Sequence, residues 1–126
     1  MTAPLPQVSV ESFHALDIRA GVVVQAEPFP EARKPAFRLQ VDFGPGVGVL
    51  PSSAQLTRRY DPESLVGTRV LGVVNFAPRR IAGFTSRCLV LGVVNPEDPG
   101  DVILVRPDAP PPGSTAGPPP PGWRLG

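Results

Sequence analysis

Within residues 36–43 apolar and polar side chains alternate without a break from Phe37 on, Phe37, Leu39, Val41 and Phe43 against Arg38, Gln40 and Asp42. A period of two places the first set on one face of an extended strand and the second on the other. This segment is therefore a strand with one buried face, and the chain must build a sheet around it. Ile18–Glu27 follows the same period, read with Ile18, Ala20, Val22, Val24 and Ala26 inward. Pro28, Pro30 and Pro35 confine the connection between the two to a loop. Further strands are expected at Val47–Leu50, Thr68–Phe76 and Arg87–Asn95, with Asp101–Val105 as a final one. The last two of the three share one hexamer, VLGVVN, at Val70–Asn75 and Val90–Asn95.

Helical signals are few. Ser9–Leu16 predicts a short helix capped by Ser9, with Val10, Phe13 and Leu16 on one face. Pro51–Tyr60 reads as a helical insertion started by Ser52. A second helical turn opens at Asp61, with Pro62 in its first position and Gly67 as its stop. Gly44-Pro45-Gly46-Val47-Gly48 lacks the Gly-Lys-Ser/Thr of a phosphate loop and reads as a turn between strands. Five principal strands with a helical insertion between the third and fourth, after a short N-terminal helix, give an all-β fold with the element order of an OB-fold barrel.

The 126 residues suffice for one domain. We divide them into an N-terminal extension (1–8), the barrel (9–108) and a tail (109–126). Eight of the last 20 residues are proline, so Pro110–Pro121 is expected to be extended and poor in hydrogen bonds, with Trp123 and Leu125 delivered to an apolar site. The single Cys88 excludes an internal disulfide and reads as a buried, inert thiol in a reducing compartment. Met1–Val10 has no signal-peptide pattern and no apolar run is long enough to span a bilayer. The expectation is a cytoplasmic protein without membrane insertion.

The net charge of +1 hides an asymmetry. Residues 52–90 hold six arginines against Asp61 and Glu63, while the remainder holds six basic and nine acidic groups. A local basic footprint on an acidic body suits an anionic partner. Its centre is the turn-rich connection Asn75–Ser86, where Arg79 and Arg80 stand between two apolar runs and can pair with phosphate oxygens. Catalysis has no support: His14 is the sole histidine, Ser52, Ser53 and Ser86 have no base, and the acids show no metal or paired-carboxylate spacing. No cofactor and no metal are expected. With Phe37 and Phe43 committed to the core, recognition of a folded RNA through phosphate and 2′-hydroxyl groups is favoured over stacking on an aromatic platform.

Several ordered motifs carry a family resemblance: Leu16-Asp17-Ile18-Arg19-Ala20-Gly21, Phe29-Pro30-Glu31-Ala32-Arg33, Val41-Asp42-Phe43-Gly44, Ser52-Ser53-Ala54-Gln55, Val74-Asn75-Phe76, Pro78-Arg79-Arg80-Ile81-Ala82-Gly83-Phe84 and Ser86. From Phe13 to about Asp108 the chain resembles the CsaA-type tRNA-binding-domain proteins. The resemblance implies an OB-fold core, a homodimer and binding of structured RNA, specifically tRNA. It also implies the CsaA branch's link to protein export and chaperone-like binding of unfolded polypeptides, the competing function. On this reading Arg79 and Arg80 contact phosphates, Asn75 and Ser86 hydrogen-bond to the RNA, and Ser53 and Arg58 contribute. Val10, Phe13 and Leu16 pair the subunits. Two departures stand out. Pro112–Pro121 is interposed where the family has a short Gly-containing end, and Arg87 replaces an acid common in the CsaA branch, which makes the RNA face more basic.

Overall fold

The computed structural model describes residues 3–126, so the first two positions of the N-terminal extension lie outside the described residues. In chain order it contains α1 (Val10–His14), β1 (Ile18–Pro28), β2 (Phe37–Asp42), β3 (Val49–Ala54), α2 (Pro62–Leu65), β4 (Arg69–Val73), β5 (Arg79–Ile81), β6 (Phe84–Ser86), β7 (Leu89–Val90), β8 (Gly92–Asn95) and β9 (Asp98–Leu104). An antiparallel sheet of order β3-β2-β1-β4-β7 curls into a nearly closed five-stranded OB-fold barrel. Two hairpins, β5–β6 and β8–β9, extend from it. The helical insertion between β3 and β4 is α2, with Asp61 at its N-cap, Pro62 in the first turn and Gly67 at φ 87° just past its end.

The barrel interior is set by β2. Phe37, Leu39, Val41 and Phe43 are all buried, as their alternation requires, and Leu65 of α2 plugs the same core. β1 keeps the phase its sequence suggests at Ile18, Ala20 and Ala26 and departs from it between Gly21 and Val24. Gly21 and Val23 face this core, Val24 is exposed, and a register shift between Val23 and Gln25 returns Ala26 to the interior. The physical reason is space: a Cβ on Gly21 would stand 2.8 Å from the Phe43 ring, and one on Gly72 of β4 would stand 2.7 Å from it. The ring lies directly on the backbone of two neighbouring strands. Ile18, Ala20 and Val73 are also buried, outside this core cluster.

The barrel closes along the seam between β3 and β7. Arg87 N–H donates to Pro51 O (2.8 Å), and the fully buried Ser52 hydroxyl donates to Cys88 O (2.9 Å). Pro51 has no N–H to offer, and as a sheet-edge residue it leaves this seam one bond short. The helix expected over Pro51–Tyr60 is therefore corrected: Pro51–Ala54 is strand, paired with Phe37–Gln40, and only a turn follows. Burial of Ser52 and Ala54 on one face outweighed the local helix signal.

The two VLGVVN copies have different fates. The first buries Val70 and Val73 in β4. The second bends at Leu91, which donates to Leu71 O and accepts from Val105 N, so the single strand expected over Arg87–Asn95 is two. Val93 and Val94 of the second copy are both exposed.

The tail docks through main chain rather than through apolar side chains. β2 ends opposite Val22, leaving the first residues of β1 open on that side. Residues 122–125 fill the gap: Ala20 N–H donates to Trp123 O, Gly122 N–H to Ala20 O and Leu125 N–H to Ile18 O, at 2.8–2.9 Å. Trp123 is 64% exposed, so the expected apolar anchoring of Trp123 and Leu125 is replaced by strand pairing. Asp17 secures the segment, holding Arg19 at 2.9 Å and Arg124 at 3.4 Å. The Arg19 hydrogen bonds keep its carboxyl below the ordinary carboxylate range.

The contact between Phe43 and the glycines predicts a clear mutational cost. Gly72→Ala is expected to destabilise the barrel by about 1–3 kcal/mol, because the buried ring has nowhere to retreat. The check is a urea titration, in which the midpoint falls while the slope is unchanged.

Candidate nucleic-acid interface

The connection Asn75–Ser86 leaves the barrel as a β-hairpin. Arg79 pairs with Ser86, Arg80 with Thr85 and Ile81 with Phe84, across the two-residue turn Ala82-Gly83. Both turn residues have positive φ, 47° and 82°, as a tight type I′ hairpin turn requires. Gly83 adopts this freely, whereas Ala82 carries local strain at the arm's tip. The arm is fixed at both ends. Asn75 accepts from Asp17 N–H and donates to Ala15 O, each at 2.9 Å. Ser86 Oγ accepts from Ser53 N–H at 3.1 Å, and Phe84 packs edge-on against Phe29 with centroids 5.5 Å apart.

Between the arm and the barrel seam lies an open cavity of about 300 Å³ lined by Ser53, Phe76, Ala77, Arg79, Ile81, Ser86, Arg87, Cys88 and Leu89. Strand alternation separates the adjacent arginines. Arg79 and Ile81 turn to the cavity, while Arg80 is absent from its lining and donates to Thr85 Oγ1 at 3.3 Å. Among the described residues neither Arg79, Arg80 nor Arg87 has a carboxylate within ion-pair distance, and no acidic residue lines the cavity. Exposed guanidinium groups without a carboxylate partner are available to an external anion.

Two other arginines of the basic segment are engaged. Arg58 pairs with Asp98, and Arg59 binds both carboxylate oxygens of Asp101 through Nε and Nη2, with Nη2 to Oδ2 at 3.0 Å. These pairs tie the turn after β3 to the β8–β9 hairpin, away from the cavity. Of the residues singled out from sequence, the structure thus gathers Arg79, Ser53 and Ser86 at one cavity. It sets Arg80 on the opposite face, engages Arg58 in an ion pair and uses the Asn75 amide to hold the segment before β1. Phe76, Ile81 and Leu89 were not foreseen at this site. The signal for Phe76 was its place in a turn just before Pro78, where no strand can bury it.

The chemistry of the cavity is that of binding. Burial pushes the Cys88 thiol up to about 11, so it is neutral at pH 7. Ser53 and Ser86 have no base beside them, and His14 stacks edge-on with Phe13 on α1. Among the described residues no group of three or more His, Cys, Asp or Glu could hold a metal ion, and no helix is long and apolar enough to cross a membrane.

A small OB-fold barrel with a basic cavity between its seam and its hairpin arm has the architecture of an OB-fold binding module. Comparison with known proteins specifies it. The family described as "Putative tRNA binding domain" matches residues 18–115, and the chain belongs to this family, in its CsaA type. The crystal structure of the chaperone CsaA from Bacillus anthracis is 45% identical, with a TM-score of 0.80, over 96% of this chain and 100% of that one. CsaA from Picrophilus torridus is 33% identical, with the same TM-score, over 95% and 100%. The methionine–tRNA ligase of Flavobacterium johnsoniae is 35% identical over 102 residues, 81% of this chain. The chain spans only 14% of that enzyme's length.

The Arg59–Asp101 pair makes a pH prediction. Arg59, helped by Asn95, lowers the Asp101 carboxyl from 3.8 to about 2. Because the folded value is depressed, the stabilisation is complete above the ordinary value and is lost as pH falls through about 2. Asp101→Asn should lower the urea midpoint at neutral pH and leave it close to that of the parent protein near pH 2.

Proposed function

We propose that the protein binds structured RNA, most specifically tRNA, at the cavity and along the adjoining hairpin. The observation that carries this reading is the set of arginines without carboxylate partners, Arg79 and Arg87 in the cavity and Arg80 on the outer face of the arm. Arg79, Arg80 and Arg87 contact phosphates, while Ser53 and Ser86 offer hydroxyls to sugar or base. Asn75 positions the arm, and Arg58 contributes at the margin through its exposed guanidinium. The family description supports tRNA as the partner. Singly substituted Arg79→Ala, Arg80→Ala and Arg87→Ala proteins should remain folded and bind tRNA more weakly, each lowering the log–log salt slope by roughly one unit. Filter binding at several salt concentrations decides this. Unchanged affinity and slope in all three would sink the RNA reading at this surface.

A second reading, chaperone-like binding of unfolded or export-destined polypeptides, draws on the exposed apolar residues. Leu5, Val8 and Val10 are well exposed, Phe13 is 36% exposed, and α1 buries no residue at all. So short a helix does not persist alone and needs a surface to lie on. We assign that surface to a second copy of the chain, with Phe13, Val10 and Leu16 in the interface of a homodimer and apolar grooves at its margins for polypeptide. Light scattering at micromolar concentration should give twice the 13.3 kDa chain mass. Deletion of residues 1–16 should return the monomer mass, and a dimer that survives the deletion would place the interface elsewhere.

A further inference from the structure

We infer that the cavity between β7 and the β5–β6 arm receives a single unstacked nucleotide of the bound RNA. Its base lies on Phe76, and Arg79 and Arg87 grip the phosphates on either side. This rests on the RNA reading and deepens it, because arginines on a flat surface would bind any helix by its backbone alone.

Three observations carry it. Phe76 is 48% exposed and Leu89 46% exposed, and both line the cavity with Ile81, so it has an apolar wall that the core does not use. Aromatic faces of this kind hold unstacked bases in RNA-binding proteins. The volume of about 300 Å³ falls at the small end of ligand sites, suited to one nucleotide and closed to a helix. The apolar wall and the unpaired guanidiniums also share one cavity. A nucleotide presents an aromatic face and an anion a few ångströms apart. An apolar side chain of a polypeptide would satisfy the wall and leave both guanidiniums without an anion.

The backbone that carries the ring is also held on both sides. Asn75 is pinned to residues 15 and 17, and Pro78 stiffens the chain on the other side. Ser53 also lines the cavity, with its N–H occupied by Ser86 and its hydroxyl without a hydrogen-bond partner among the described residues. That hydroxyl can read a base edge or a 2′-hydroxyl.

The test uses the full chain with three probes: tRNA, a single-stranded RNA oligonucleotide carrying 2-aminopurine, and a blunt RNA duplex without unpaired residues. Phe76→Ala is expected to weaken tRNA and single-strand binding roughly 5- to 150-fold, the range for one lost base stack. Its salt slope should stay unchanged, and 2-aminopurine quenching should disappear. Phe76→Tyr should restore binding, Phe76→Leu should not, and the duplex should be indifferent to all three. Arg79→Ala should instead lower the slope. Normal tRNA affinity in Phe76→Ala, with a reduced slope in Arg79→Ala, overturns the nucleotide pocket and leaves the RNA surface standing. Absence of tRNA binding by the unmodified protein removes both. Full rescue by Phe76→Leu, or loss of 2-aminopurine quenching on adding an apolar peptide, assigns the cavity to polypeptide and also overturns the inference.

Discussion

The ring of Phe43, lying on bare backbone at Gly21 and Gly72, is the contact on which the rest of the barrel depends. It is the largest fully buried side chain, and it sits where β2 ends and the Gly44–Gly48 turn begins. Its own N–H accepts no freedom either: it donates to Gly48 O at 3.0 Å and closes the turn. Its carbonyl lies so near Gly122 that a side chain there would meet it at 2.9 Å. One residue thus fixes the spacing of β1 and β4, the turn into β3 and the seat of the tail. The exposed arm can be polar and strained because the stability of the fold lies elsewhere.

The site follows from how the barrel fails to close. β3 and β7 meet through few bonds because Pro51 brings no donor, and Cys88 and Ser52 fill the seam instead. The cavity opens at this weak join, and the arm leaves the sheet just before it. A fully bonded seam would have buried Leu89 in a continuous ladder. The arginines gain their value from the same geometry, since the acids that neutralise Arg58 and Arg59 belong to the β8–β9 hairpin and do not line the cavity. The basic footprint seen in residues 52–90 thereby loses Arg58 and Arg59 and keeps the three arginines around the arm and Arg69.

Much of this was legible in the residues, and the failures share a cause. Alternation in Phe37–Phe43 fixed both the strand and its buried face, since nothing interrupts the period. In β1 the same rule found the strand and held at Ile18, Ala20 and Ala26 but failed at Val22 and Val24 between them. The outcome there depended on where another strand's phenylalanine needed room and on a bulge that one strand's sequence does not announce. The identical VLGVVN segments make the same point, as burial of a valine is decided by the strand beside it. Asp61-Pro62 and Gly67 were read correctly because capping is local chemistry. Arg79 and Arg80 were visible as charges, but their separation onto opposite faces required a hairpin, and Phe76 required knowing that a cavity lay beside it.

The strand added by residues 122–125 bears on how the polypeptide is made. β1 leaves a ribosome before the rest of the barrel, and its pairing partner on one side is translated only after the whole barrel sequence. Through that interval the Ile18–Ala20 edge presents open donors and acceptors, the kind of edge that recruits stray strands. Closing it joins distant parts of the chain, a slow class of contact in folding. The proline-rich stretch before Gly122 cannot itself enter a central strand, so it cannot compete for that edge before the correct segment arrives.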